Sequence, residues 1–96
     1  MRGIKGKVSI VTGGAGGIGA SICRRFAEEG AIVAVFDINQ DAAAAIVTEI
    51  RAKGGSAGAF GVDVTSLQSV VAAVTDAEAQ LGPTDILVNN DRWYQV

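Results

Sequence analysis

Two hydrophobic rhythms alternate along the chain. Val8-Ser-Ile-Val11 is a short β-branched run that stops at a cluster of glycines, the pattern of a buried parallel strand before a turn. Beyond the glycines, Ile18, Ile22, Cys23 and Phe26 recur at helical spacing with Arg24, Arg25, Glu28 and Glu29 on the other side, which predicts an amphipathic helix. Gly30 stands where a left-handed cap forms most easily, and Ile32 to Phe36 follows as a second strand closed by Asp37. Asn39 is placed to cap a second helix, Asp41 to about Lys53, which Gly54-Gly55 ends. Ala57 to Val62 predicts a weaker third strand, and Thr65-Ser-Leu-Gln68 reads as a capping box opening a third helix. The apolar stripe of that helix is expected at Leu67, Val70, Val71, Val74 and Leu81. Gly82-Pro83 breaks it, and Ile86-Leu-Val88 is a fourth buried strand ending at Asn89-Asn90.

Strands that alternate with helices in this way imply an α/β domain with a parallel sheet and right-handed crossovers. The 96 residues make one small domain or a piece of one, and a chain this short buries only about 60% of its unfolded surface. Eight scattered Lys and Arg against a net charge of −2 leave no basic stripe for DNA or RNA. One cysteine and no histidine exclude a disulfide framework, a Cys/His zinc site and any His-based triad, and they fit a reducing cytoplasm. Cys23 falls on the apolar face of the first helix and reads as a small core residue. No stretch is long enough for a membrane span, and Val8–Val11 is too short for a signal-peptide core.

The chemistry sits in the glycine cluster. Gly14-Ala-Gly16-Gly-Ile-Gly19 follows a strand and opens a helix. Free N–H groups and the positive end of the helix dipole would there face an incoming pyrophosphate, with no side chains to hold it off. Gly17 and Gly19 are also expected to let the helix lie close on the strands. Asp37, at the tip of the second strand and 18 residues after Gly19, is placed to accept hydrogen bonds from both hydroxyls of an adenosine ribose. A 2′-phosphate would meet its negative charge, and neither Ile38 nor Asn39 offers a compensating cation, so NAD is expected over NADP. The plainer reading of Asp37 is a cap on the turn before the second helix.

Thr12-Gly13-x-x-x-Gly17-x-Gly19, then Asp37, then Asp63-Val64, then Asn89-Asn90, resembles the N-terminal half of the short-chain dehydrogenase/reductase family over about Lys5 to Asn90. The resemblance implies a Rossmann-type doubly wound sheet, cut short, with strand order 3-2-1-4, the first two helices on one face and the third on the other. Its domain would be residues 1–90, an NAD-binding half-domain, followed by a tail, 91–96, outside the family pattern. It also implies that the turn Gly13, Gly14, Ala15, Gly16, Gly17 and Gly19, with the Ile18 amide, meets the pyrophosphate, and that Asp37 and Ile38 lie at the ribose. Asp63 and the Val64 backbone would meet the adenine, and Asn90 would lie along the cofactor, while Thr12 and Asn89 tie neighbouring strands. From the residues alone, Asp63 reads equally as a turn acid before a helix.

The family activity is hydride transfer between NAD and a small alcohol or ketone. "ICRRFAEEGAIVAVFDIN" and "LGPTDILVNN" are most similar to 2-hydroxycyclohexanecarboxyl-CoA dehydrogenase and 3-oxoacyl-carrier-protein reductases, which implies a hydroxyacyl thioester. The pattern departs at Asp91, where the family has alanine and glycine after the asparagines, and no serine with a Tyr-x-x-x-Lys pair is present, since only Gln95 and Val96 follow Tyr94. No catalytic residue and no metal ligand can be assigned, and the chain alone is expected to turn over nothing. A fourth strand left as an open edge is expected to be covered by Trp93, Tyr94 and Val96, or to join two copies. Two other readings stay open: a non-catalytic NAD or adenine-nucleotide module, and a methyltransferase-like domain, against which Thr12-Gly13 and Asn89-Asn90 argue.

Overall fold

The computed structural model describes residues 3–90; the tail expectations at Trp93, Tyr94 and Val96 lie outside the described residues. Strands β1 (Val8–Thr12), β2 (Ile32–Asp37), β3 (Ser56–Gly61) and β4 (Ile86–Val88) alternate with helices α1 (Gly17–Glu28), α2 (Gln40–Ala52) and α3 (Leu67–Leu81). All strand pairs are parallel, in the order β3-β2-β1-β4. This is the order expected.

Strand alternation sorts the core into two layers. Val11, Val33 and Val35 face α1 and α2, where they meet Ala20, Cys23, Ala43, Ile46 and Val47. Ile10, Ala34 and Phe36 face α3, with Phe60, Val62, Ala73 and Ala77. Both faces of the central strands are therefore buried, which explains why Ile32–Phe36 of β2 reads as an unbroken apolar run and β1 as one broken only by the buried Ser9 before it ends at Thr12. Gly30 has φ +89°, and the main chain closes behind it with Ala31 N–H donating to Phe26 O, so the predicted left-handed cap is present.

Two expectations about α3 are corrected. Its N-cap is Ser66, whose hydroxyl accepts from Ser69 N–H, whereas Thr65 turns back to Asp63. The helix starts one residue later than the capping-box pattern suggests. Its buried line runs through Ala73 and Ala77, flanked by Val70, Val74 and Leu81, while Leu67 is 79% and Val71 55% exposed. Alanines let the helix approach the sheet closely, and the larger residues at the margin of the stripe are left in water.

Burial also sets the chemistry of Cys23. It is fully buried, its thiol facing the Gly14 carbonyl at 3.7 Å, and desolvation pushes its pKa from 9.0 to about 12, opposed by the nearby Arg24 charge. The native state thus keeps a proton that the unfolded chain releases. Its contribution to stability is complete below about pH 9 and is lost as pH rises from there toward 12. Between pH 8 and 10.5 the wild type should lose about 2 kcal/mol that Cys23→Ala does not lose, read as the difference in slope of their denaturation midpoints against pH.

Candidate dinucleotide site

Beyond Thr12 the first strand pairs for one more step, Gly14 N–H donating to Phe36 O at 3.0 Å, and the chain then leaves the sheet. Gly13 takes φ +63°, a conformation that favours glycine, and Gly16 N–H donates back to Gly13 O at 3.2 Å. Gly16 is the N-cap of α1 and supplies no side chain, so the N–H groups of the first turn, Gly17, Ile18 and Gly19, have no side-chain acceptor. They form the anion-attracting end of a twelve-residue helix.

The glycines divide by task. A methyl group at Gly19 would run into the Gly13 carbonyl and come within 2.9 Å of Asn90 Nδ2; one at Gly14 would lie 2.8 Å from Val35 Cγ1. These two are required by packing. At Gly17 a methyl would meet nothing within 4 Å, so the expectation that Gly17 serves helix-on-strand packing is corrected: only Gly19 does. Ile18, counted with the apolar face of α1, is 72% exposed at the mouth of the turn.

Asp37 comes to the same place. Its Oδ2 accepts from Ala15 N–H at 3.0 Å and its Oδ1 from Asn39 N–H at 2.9 Å, so one oxygen is held at the glycine turn and the other at the N-cap of α2. Ile38 beside it is 76% exposed. Val62 N–H donates to the Asp37 carbonyl at 2.9 Å, which brings the segment after β3 alongside. There Asp63 Oδ1 accepts from both the hydroxyl and the N–H of Thr65, and these bonds, the hydroxyl first, hold its carboxyl below the ordinary range. Asp63 is thus a turn acid, and Val64 lies against the α3-side core. On the other flank Asn90 Nδ2 donates to Gly13 O at 3.4 Å. The Thr12 hydroxyl sits 3.2 Å from Asn89 Oδ1, so these two tie β1 to β4 as expected, and it also accepts from Asn90 N–H at 2.9 Å, which adds Asn90 to the tie.

Asp85 escaped the sequence reading: its carboxylate accepts from Val8 N–H at 2.9 Å and fixes the entry of β4. No periodicity announces it. Ser69 Oγ likewise accepts from Asp63 N–H and steadies the turn beneath Val64. Among the described residues no cluster of His, Cys, Asp or Glu could hold a metal, and no helix is long and apolar enough to cross a membrane.

In this chain an uncapped helix start follows a glycine turn, with a carboxylate at the tip of the adjacent strand. Residues 7–91 match the model of the short chain dehydrogenase family. The chain belongs to that family. It is 48% identical over 87 residues to the 7alpha-hydroxysteroid dehydrogenase of Escherichia coli, covering 91% of this chain and 34% of that protein. A short chain dehydrogenase of Pseudocercospora fijiensis is 43% identical over 86 residues, 90% of this chain and 28% of its own length. The solved structure of a 7α-hydroxysteroid dehydrogenase complexed with NADH and 7-oxo glycochenodeoxycholic acid superposes with a TM-score of 0.88 at 48% identity, over 91% of this chain and 34% of that one. The chain thus spans about a third of the length of these relatives.

Proposed function

We propose that this chain is the cofactor-binding part of an NAD-dependent short-chain dehydrogenase. The observation that carries the reading is the meeting of Asp37 with the glycine turn at Ala15, 22 positions away in sequence. The first-turn amides of Gly17, Ile18 and Gly19 would take the pyrophosphate, with Gly13, Gly14, Ala15 and Gly16 shaping the turn. Asp37 would take the ribose hydroxyls beside Ile38. Asp63 and Val64 would meet the adenine, and Asn90 would lie along the cofactor. The group that fits is NAD, which when bound gives or takes a hydride.

A related bound dinucleotide supports this reading, as does the absence of a cation near the carboxylate among the described contacts. The substrate would be a secondary alcohol or ketone, with a hydroxyacyl thioester as the specific class; turnover requires residues beyond these 96, since no serine with a Tyr-x-x-x-Lys pair is among them. Residues 1–90 would be the cofactor unit. Calorimetric titration of the pure chain tests the reading. NAD should bind at least about tenfold tighter than NADP, and Asp37→Ala should narrow that gap by weakening NAD. Equal affinities for the two cofactors in the wild type would contradict it.

A further inference from the structure

Ala15 is the one residue between Gly13 and Gly17 that is not glycine, and its N–H is bonded to a side chain rather than to the main chain. A run of glycines has little stiffness of its own, because each can reach conformations closed to other residues. The neighbouring amides of the turn are tied to backbone: Gly14 N–H to Phe36 O at 3.0 Å and Gly16 N–H to Gly13 O at 3.2 Å. Between them the Gly14–Ala15 peptide is held at its carbonyl by the weak 3.7 Å contact of the Cys23 thiol and at its N–H by the 3.0 Å bond to Asp37 Oδ2. The opposite oxygen is held by Asn39 N–H, at the N-cap of α2, so the carboxylate is braced from the far side.

We propose that Asp37 is a positioning residue for the phosphate-binding turn as well as the acceptor for the sugar. By fixing Ala15 N–H it sets the path of the glycines toward the start of α1, so the phosphate and ribose subsites are built on one side chain. Each carboxylate oxygen has two lone pairs, so ribose hydroxyls can add to Asp37 while both amides stay in place. Uncharged replacements cannot do this. Asparagine keeps one acceptor oxygen and turns an NH₂ toward the other amide, releasing either Ala15 or Asn39. The inference rests on the NAD reading for its ligand but not for the bond itself.

The test uses a probe that Asp37 cannot touch through the sugar, 2′,3′-dideoxyadenosine diphosphate, alongside NAD. By charge alone, removing an acid near a bound diphosphate should tighten this probe. A positioning role predicts the opposite sign: Asp37→Ala and Asp37→Asn should each weaken it by about threefold or more, with a larger loss for NAD. In the free wild-type chain, the Ala15 amide should be protected from hydrogen exchange, and in either variant it should lose that protection. Unchanged or tighter binding of the dideoxy probe by the variants would overturn the inference, as would an unprotected Ala15 amide in the wild type. If the wild type binds neither probe, the cofactor reading fails and the exchange of Ala15 alone decides the positioning role. The same exchange measurement decides it if neither variant folds.

Discussion

Gly19→Ala should lower the stability of the chain by roughly 2 kcal/mol, or about 10 °C in melting temperature for a domain of this size. The helix itself would welcome the change, since alanine is favoured over glycine by up to about 1 kcal/mol inside a helix. Tertiary packing outweighs that gain. The added methyl has to share space with the Gly13 carbonyl, and Gly13 sits at φ +63° between β1 and α1 with Asn90 Nδ2 on its other side. Relief requires the turn to shift away from the helix, and the bonds from Gly14 to Phe36 and from Ala15 to Asp37 oppose such a shift. Thermal denaturation followed by circular dichroism measures the loss; an unchanged or higher midpoint would mean that the turn and helix are not in contact as described.

Gly17→Ala should do the reverse: fold as well as the wild type or better by a few tenths of a kcal/mol, yet bind NAD at least about tenfold more weakly. In the free chain the new methyl meets nothing within 4 Å, so folding is unobstructed. With a dinucleotide present, the same methyl would stand before the first-turn amides where the pyrophosphate backbone has to approach. Two glycines two positions apart would then report on separate properties, Gly19 on the fold and Gly17 on the proposed ligand. Parallel melting curves and NAD titrations of the two variants check the division. Full NAD affinity in Gly17→Ala would place the ligand elsewhere.

Much of this was legible in the sequence because it follows from local rules. β-branched runs, closed by glycines after β1 and by Asp37 after β2, mark the first two strands, Asn39 marks the start of α2, and the motif order supports the strand order through a family resemblance. What was misread depends on distances between elements. Hydropathy alone puts the stripe of α3 on its largest apolar residues, but a helix packed closely on a sheet buries its alanines, here Ala73 and Ala77, and leaves Leu67 outside. The capping box was read one residue early because Thr65 and Ser66 are both competent caps, and only the position of Asp63 decides which is free. Gly17 and Gly19 look alike in a motif. The approach of Gly13 to only one of them separates their roles. The Ala15–Asp37 bond was illegible for the same reason: pattern placed the acid at the strand end but not the direction of its carboxylate.

The sheet is partly open to water at its β4 edge. β4 is an edge strand, Leu87 on it is 65% exposed, and a groove of about 370 Å³ runs between it and α3 past Ile10, Phe36, Val62, Val70 and Val74. The open edge expected at the fourth strand is present, while β1 beside it is buried along its whole length, against the expectation that it too would be left partly bare. Thr12 and Asn89 stand at the rim of this groove while Asn90 turns to Gly13, so the tie between β1 and β4 separates the apolar groove from the glycine turn.

Amide chemical shifts of the ¹⁵N-labelled chain during titration with NAD test the central claim most directly. Gly17, Ile18 and Gly19 should move together and saturably, with Ala15 and Ile38 following as the sugar meets Asp37. Saturable binding that leaves those three amides still and instead moves Leu87, Val70 and Val74 along the groove would contradict the account.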